Sequence, residues 1–245
     1  MAPGDLIKFD TIQDSIEAFR CGEFIIVLDS PSRENEGDLV IAASKMTPEK
    51  MAFMVYHTSG LICTPILPYL AEKLNLPQMV SEVESEDPNK TAYTISIDAN
   101  HPQITTGISA HDRALTCNTL ASSASAVPSS SSKASLNHSL FRRPGHIFPL
   151  RAHAGLTRAR RGHTEAALEF CRLAGLPMVG VISELVESGA EVEGKAERKK
   201  PDMMRGEACL QFAKHWGLKC CSIDDLVKWL EINDQDVRQT GENFK

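Results

Sequence analysis

Apolar residues recur along this chain with two different spacings, which predict helices and strands in an irregular order. From Thr11 to Arg20 the apolar side chains fall on one helical face, and Gly22 ends the segment. A second helix is predicted to begin at Thr47, which is a suitable N-cap residue, and Pro48 follows it as a first-turn proline. The same reasoning predicts helices at 69–74, 109–120, 164–174 and 206–216, and a last one capped from Ser222.

Short apolar runs bounded by polar residues predict the strands. These are expected at 23–29, 38–43, 61–65, 91–98, 147–152 and 178–186. In the fourth of them, alternation places Tyr93, Ile95 and Ile97 on one face of a half-buried strand. Because helices and strands do not alternate strictly, the pattern predicts an α+β fold, or an α/β fold with a mixed sheet.

The length of 245 residues suits one large domain or two small ones, and a single core still serves at this size, so we expect one domain spanning residues 1–245. Three segments lack the apolar residues that a core requires and are expected to be loosely held. Residues 122–139 are almost entirely Ser and Ala, a flexible insert by composition. Residues 81–89 are acidic and polar, and residues 189–201 form a charged loop.

Composition removes several function classes. A net charge of −6 supplies no overall basic field, so no nucleic-acid partner is expected. No apolar run approaches the length of about 18 residues that a membrane span requires. The first ten residues lack the apolar core of a secretory signal, and the seven cysteines are scattered. These features predict reduced thiols and a cytoplasmic protein.

A loop between two predicted strands carries the densest group of charges. Ser32–Asp38 contains three carboxylates, one guanidinium group and a glycine. Hard cations such as Mg²⁺ prefer carboxylate oxygens together with waters and substrate oxygens. The loop is therefore a candidate metal site, although a solvated polar hairpin has the same composition.

A basic segment, Arg158–Glu165, ends at the predicted start of a helix. Free backbone N–H groups, the helix dipole and nearby arginines together favour an anion such as phosphate. His163 could complete a metal site with a carboxylate from elsewhere in the chain. An ordinary basic flank before a helix capped by Thr164 is the simpler alternative.

Four further features could carry chemistry. His146 follows a Pro-Gly pair and is a candidate acid or base, although a loop histidine is more often surface. Thr105 and Thr106 place hydroxyl groups just before a helix. Glu184 lies within an apolar strand, where a carboxylate must be paired, protonated or functional. Cys63 also lies in an apolar strand, and core packing is its default interpretation.

The order and wording of five motifs resemble the 3,4-dihydroxy-2-butanone 4-phosphate synthase family. These motifs are Arg33–Asp38, Ser59–Cys63, Thr105–Arg113, Arg143–Arg151 and Gly162–Ala166. The first, fourth and fifth are highly specific, and the resemblance covers residues 9–230. The phrase His-Asp-Arg-Ala-Leu-Thr resembles the fungal, monofunctional form of the family.

The resemblance implies an α+β fold with α/β/α layers. It also implies a lyase of riboflavin biosynthesis that converts D-ribulose 5-phosphate to L-3,4-dihydroxy-2-butanone 4-phosphate and formate. It implies two Mg²⁺ ions, replaceable by Mn²⁺, held by Glu34 and His163. It implies a homodimer with shared sites, and proton transfer by His146 and Glu184, with Glu36 as a further catalytic candidate. Substrate contacts are implied for Arg33, Asp38, Cys63, Thr106, Arg160, Arg161, Gly162 and Thr164.

The chain departs from the family pattern at several positions. Asp29-Ser30-Pro31-Ser32 stands where relatives usually carry four acidic residues, and Asn118 stands where many carry Arg. Residues 122–139 and 189–201 are longer than the usual links. Two alternatives from other classes remain open: an inactive relative that binds sugar phosphate, and a different metal-dependent sugar-phosphate isomerase or aldolase. Formate release from ribulose 5-phosphate separates all three.

Overall fold

A mixed β-sheet forms the centre of the molecule. The computed structural model describes residues 8–126 and 138–233. Its central strands are β1 (Ile25–Leu28), β2 (Gly37–Ala42), β3 (Cys63–Ile66), β4 (Ile97–Ala99), β5 (Phe141–Arg151), β6 (Gly180–Glu184) and β11 (Lys219–Ser222). They are ordered β11-β1-β2-β6-β3-β5-β4. The β1–β11 and β3–β5 pairs are parallel and the other neighbours antiparallel, so the sheet is mixed, as predicted.

Helices cover both faces of this sheet. They are α1 (Ile12–Cys21), α2 (Pro48–His57), α3 (Pro68–Lys73), α4 (Ala110–Ser125), α5 (His163–Leu173), α6 (Glu207–Trp216) and α7 (Ile223–Asn233). One buried cluster joins the sheet to α2, α3, α4 and α6, and a second joins its other face to α1, α5 and α7. The predicted α/β/α layering is confirmed. Among the described residues, no helix is long and apolar enough to cross a membrane.

The predicted helix boundaries follow from local capping chemistry. The hydroxyl groups of Thr11, Thr47 and Ser109 each accept a backbone N–H three residues later, which satisfies a donor that the helix leaves free. Gly22 ends α1 with a φ of 90°, a conformation that favours glycine. Helix α4 extends beyond the predicted end at residue 120.

The expected insert is partly wrong. Residues 122–125 belong to helix α4, where Ser123 and Ala124 are buried. The Ser/Ala composition predicted a flexible segment here because it does not distinguish one from a helical turn with a buried face. Residues 127–137 lie outside the described part of the chain. The charged loop at 189–201 contains an exposed hairpin, in which β8 (Ala190–Glu191) pairs with β9 (Arg198–Lys199).

Two predicted strands differ from the structure. The expected strand at 91–98 is regular only at Ile97–Ala99, and Tyr93 packs on the opposite core from Ile95 and Ile97. A register shift at Ile97–Asp98 and a tight turn before Thr91 break the alternation. Strand β5 begins at Phe141 rather than 147, so His146 lies in a strand and not in a loop.

The sequence pattern did not predict strand β11 or the pairing of β7 (Val186–Glu187) with β10 (Asp202–Met203). Strand β11 pairs with β1 immediately after α6, in a segment between Gly217 and Ser222 that is too short to show periodicity. After β6, strand β7 pairs with β10 and closes the charged segment between them. This second ladder places Arg205 beside the acidic loop described below.

Candidate active site

A small pocket opens on one face of the sheet where β2, β6, β3 and β5 lie side by side. Its walls combine residues from six separate stretches of the sequence, which the fold brings together. The charged lining consists of Arg33, Glu34, Asp38, His163 and Glu184. Cys63, Tyr93, Thr91 and Leu150 contribute to the remaining wall.

The acidic loop, residues 30–36, is folded around the buried carboxylate of Asp29. One oxygen of Asp29 accepts the backbone N–H of Glu36, at 2.9 Å. The other accepts the N–H of Glu34 at 3.1 Å and Nη1 of Arg33 at 2.9 Å. Asn35 has a φ of 56°, which completes the turn. Asp29 thereby fixes the direction in which Arg33 and Glu34 leave the chain.

Replacing Asp29 with Ala should lower the free energy of unfolding by about 2 kcal/mol, because two backbone donors and Arg33 lose their acceptor. Urea unfolding monitored by circular dichroism measures this. The control is Glu82→Ala, which removes an exposed carboxylate on another loop. Equal unfolding midpoints for the two variants would show that Asp29 does not hold the loop.

Two carboxylates face each other across the centre of the pocket. Asp38 on β2 is the antiparallel partner of Glu184 on β6, so both side chains leave the same face of the sheet. Burial and the charge of Glu184 raise the pKa of Asp38 well above its usual range. Burial and the charges of Glu36 and Glu34 raise the pKa of Glu184. Both groups therefore hold protons more readily than ordinary carboxylic acids do.

His163 is the first residue of α5, which directs its ring into the pocket. The ring Nδ1 lies 3.6 Å from Oδ1 of Asp38 and 3.9 Å from Oε2 of Glu34. Nε2 of His163 and Oδ1 of Asp38 are both buried and have no hydrogen-bond partner among the described residues. Burial lowers the pKa of His163, which favours the neutral imidazole that binds metals.

One atom each from Asp29, Glu34 and His163 lie within 4.8 Å of one another. Asp29, however, already accepts three hydrogen bonds within the acidic loop. Glu34, His163 and Asp38 also line the pocket, whereas Asp29 does not, so Glu34 and His163 are the better candidates for cation ligands, with Asp38 beside them.

The segment predicted to bind an anion surrounds the start of α5. Gly162 is the N-cap, and no side chain caps this helix. Thr164 is buried in the first turn. Arg160 donates to Oε2 of Glu165, to Oγ1 of Thr91 and twice to the carbonyl of Asn89, and Arg161 pairs with Asp224. Neither arginine is among the residues that line the pocket.

A second group, here called the His146 cluster, contains Asp98, Thr106, Gly107 and His146. Nδ1 of His146 lies 2.8 Å from Oδ2 of Asp98, and its backbone N–H donates to Oδ1 of the same carboxylate. A Cβ atom on Gly107 would lie 1.9 Å from Oδ2 of Asp98, so the Thr106–Gly107 turn packs directly against this pair. His146 and Thr106 are absent from the pocket lining given above.

The remaining candidates occupy different surroundings. Glu36 is not among the residues that line the pocket and pairs with Arg205 at 2.8 Å. Cys63 is buried in the pocket wall, and burial together with the charge of Asp38 raises the pKa of its thiol. The thiol therefore stays protonated near neutral pH.

Sequence reasoning missed several residues that shape these clusters. The position of Asp29 at the end of an apolar strand was a usable signal, because a carboxylate there requires partners. Asp98 offered a similar signal. Asn89 gave none, because its contacts depend on how a surface turn packs.

Comparison with known proteins identifies the family. The family model described as 3,4-dihydroxy-2-butanone 4-phosphate synthase matches residues 13–229. The chain belongs to the 3,4-dihydroxy-2-butanone 4-phosphate synthase family. A 3,4-dihydroxy-2-butanone 4-phosphate synthase of Pyricularia oryzae is 56% identical over 234 residues, covering 96% of this chain and 95% of that protein. The synthase of Saccharomyces cerevisiae is 42% identical, covering 91% and 99%.

Solved structures of 3,4-dihydroxy-2-butanone 4-phosphate synthases share the fold. A crystal structure of one such synthase in complex with two magnesium ions superimposes with a TM-score of 0.84 at 56% identity. It covers 92% of this chain and 99% of that chain. A cation-free crystal structure gives a TM-score of 0.82 at 55% identity, covering 93% and 100%. The predicted resemblance and the α+β fold are both confirmed.

Proposed function

We propose that this pocket is where the chain converts D-ribulose 5-phosphate to L-3,4-dihydroxy-2-butanone 4-phosphate and formate. The chain is an enzyme of riboflavin biosynthesis by family membership, a lyase dependent on magnesium. The observation that carries the placement is the convergence of Glu34, Asp38, His163 and Glu184 on one pocket. The described elements make up one catalytic domain.

Glu34 and His163 would hold the metal. Carboxylate oxygens and a neutral imidazole suit Mg²⁺ and Mn²⁺. Nδ1 of the buried His163 ring lies beside the carboxylates of Asp38 and Glu34, and Nε2 has no hydrogen-bond partner among the described residues. When bound, the ions polarise a carbonyl group and stabilise enediolate charge. Arg33, Asp38 and Cys63 line the same pocket and would orient the hydroxyl groups of the substrate.

Glu184 would act as a general base. Its carboxylate lies at the end of β6, half-buried, and burial raises its pKa towards the range in which a base both accepts and returns a proton. The charges of Glu36 and Glu34 add to this effect on the pKa of Glu184. Enolisation and the later proton movements require such a group on the pocket side of the substrate.

The phosphate group would lie at the start of α5, where backbone N–H groups and the helix dipole favour an anion. Gly162 brings the backbone close, since a Cβ there would lie 2.4 Å from Nη1 of Arg160. Arg160, Arg161 and Thr164 lie around the start of α5, next to but outside the pocket lining. Thr106 would contribute its hydroxyl group.

His146 would be the second acid or base, supplied by the other subunit of a homodimer. Two observations support a shared site. His146 and Thr106 lie together but outside the pocket lining of their own chain. Leu61 at the pocket and Ile108 beside Thr106 expose 38% and 52% of their surfaces, which a subunit interface would cover. The two clusters would meet across that interface.

We also propose a cytoplasmic location. All seven cysteines are free, and all except Cys21 are buried. Unpaired thiols packed in a core suit a reducing compartment, where structural disulfides are rare. Burial preserves them as apolar packing groups rather than as reactive thiolates.

Formate release is the decisive test of the function. Purified protein with Mg²⁺ and D-ribulose 5-phosphate should release one formate per four-carbon phosphate formed, measured by coupled formate oxidation and mass spectrometry. Excess chelator should abolish the reaction, and unphosphorylated ribulose should be a very poor substrate. Isomerisation or aldol cleavage without formate would contradict the proposal, and so would full activity in chelator.

Metal affinity should depend on pH through His163. Protons compete with the metal for the imidazole, so affinity falls as pH drops through the pKa. Because burial lowers that pKa below the ordinary value of about 6.5, Mn²⁺ affinity should be constant down to about pH 6.5 and decline only below it. Mn²⁺ titrations followed by electron paramagnetic resonance measure this. A decline centred above pH 6.5 would contradict a neutral, buried His163.

A further inference from the structure

A surface turn at residues 87–91, here called the Asn89 turn, adjoins the pocket. The carboxylate of Asp87 accepts the backbone N–H groups of Asn89 at 3.0 Å and Thr91 at 2.6 Å. These bonds lower the pKa of Asp87 although partial burial opposes the shift. Lys90 adopts a φ of 53°, and its N–H donates to the carbonyl of Asp87. The side chain of Asp87 thus stabilises the turn and fixes the backbone at Asn89.

Asn89 contacts both halves of the proposed site. Its side-chain amide donates to Oε1 of Glu34. Its backbone carbonyl accepts two hydrogen bonds from Arg160, at 3.2 Å from Nε and 3.0 Å from Nη2. Arg160 in turn pairs with the buried Glu165 in the first turn of α5. One residue therefore connects the acidic loop to the helix that carries His163.

The chemistry of this contact suits a metal ligand. The other oxygen of Glu34, Oε2, pairs with Arg33 at 2.6 Å and lies towards His163. A neutral amide on Oε1 fixes the rotation of the carboxylate without cancelling its charge. A second cation at this position would compete with the metal, whereas the amide leaves the negative potential of Glu34, Asp38 and Glu184 in place.

We propose that Asn89 is a positioning residue that orients the Glu34 carboxylate for the metal and couples it to Arg160. It does not touch substrate; it acts through Glu34. Hydrogen-bond partners of metal ligands fix ligand orientation, and losing one typically costs about 10–100-fold in metal affinity. The inference rests on the proposed role of Glu34 as a ligand.

The variant Asn89→Ala removes the amide and keeps the backbone carbonyl that Arg160 uses. With Mn²⁺ alone as the probe, titration followed by electron paramagnetic resonance should give a Kd raised about tenfold. At saturating Mg²⁺ the KM for ribulose 5-phosphate should change less than this Kd does, because the substrate contacts remain. Ser81→Ala is the matched control, since it removes an exposed hydroxyl group from the same loop. It should bind Mn²⁺ as the unaltered chain does.

A third variant, Glu34→Gln, separates the positioning role of Asn89 from the metal site at Glu34. If Glu34→Gln loses Mn²⁺ binding while Asn89→Ala binds normally, the positioning role is wrong and the metal site stands. If Glu34→Gln binds Mn²⁺ as the unaltered chain does, the metal site itself is wrong. A raised Kd in Asn89→Ala together with loss of binding in Glu34→Gln and a normal Ser81→Ala supports the inference.

Discussion

Replacing Glu184 with Gln should lower kcat by about 100-fold or more, the usual scale for removing a general base. The amide keeps the size of the side chain but cannot accept the proton. Glu184 is half-buried beside Asp38, and β6 carries no other carboxylate that could accept the proton in its place. Steady-state kinetics measure kcat, and substrate binding should weaken much less than kcat falls.

The matched control is Glu187→Gln, an exposed carboxylate three residues away on β7. It should retain kcat close to that of the unaltered chain. Circular dichroism should show that both variants fold. A Glu184→Gln enzyme with near-normal kcat, or one whose only defect is instability, would assign Glu184 to structure and leave Asp38 or Glu36 as the base.

Replacing His146 with Ala should also lower kcat by about 100-fold or more. Nδ1 of the ring bonds to Oδ2 of Asp98, and the backbone N–H of His146 donates to Oδ1, so Nε2 is directed away from that carboxylate. A ring fixed in this way exchanges protons at one defined atom. Metal binding should be unaffected, because His146 does not contact Glu34 or His163.

A mixed dimer tests whether His146 serves the neighbouring subunit. One subunit carries Glu184→Gln and the other carries His146→Ala, and two different affinity tags isolate the heterodimer. With shared sites, one of the two sites combines an intact pocket with an intact histidine, so activity should return to about half per dimer. If the heterodimer is as inactive as either parent, His146 serves its own chain.

Much of the fold was predictable because local rules and packing agree. The hydroxyl caps at Thr11, Thr47 and Ser109 and the glycine after α1 each fix a helix end through bonds within a few residues. The segment at 91–98 was not predictable in this way. Its alternation is real, but Asp87 and the shift at Ile97–Asp98 turn Tyr93 to the opposite core.

The site was predictable only as a set of residue types. Glu34 and His163 are each suitable ligands, yet their proximity depends on α5 starting beside the acidic loop. The pairing of Asp38 with Glu184 depends on β2 lying next to β6, an arrangement no local pattern specifies. The separation of His146 from the pocket likewise comes from the length of β5, which the sequence pattern underestimated.

The altered tip of the acidic loop has a simple structural context. Ser30 and Ser32 bond to each other at 2.7 Å, and Pro31 and Ser32 are exposed. Asp29 and the backbone carbonyl of Ser30 accept the hydrogen bonds that shape the loop. The loop is therefore built around Arg33 and Glu34 without acidic side chains at 30–32.

The distribution of thiols gives experimental access to that tip. Six of the seven cysteines are buried and Cys21 alone is exposed. Replacing Cys21 with Ser and Ser32 with Cys would leave one reactive thiol, at the outer end of the acidic loop. A fluorophore attached there would report whether the loop moves during a single turnover, and a stopped-flow trace would place any change in signal before or after formate leaves.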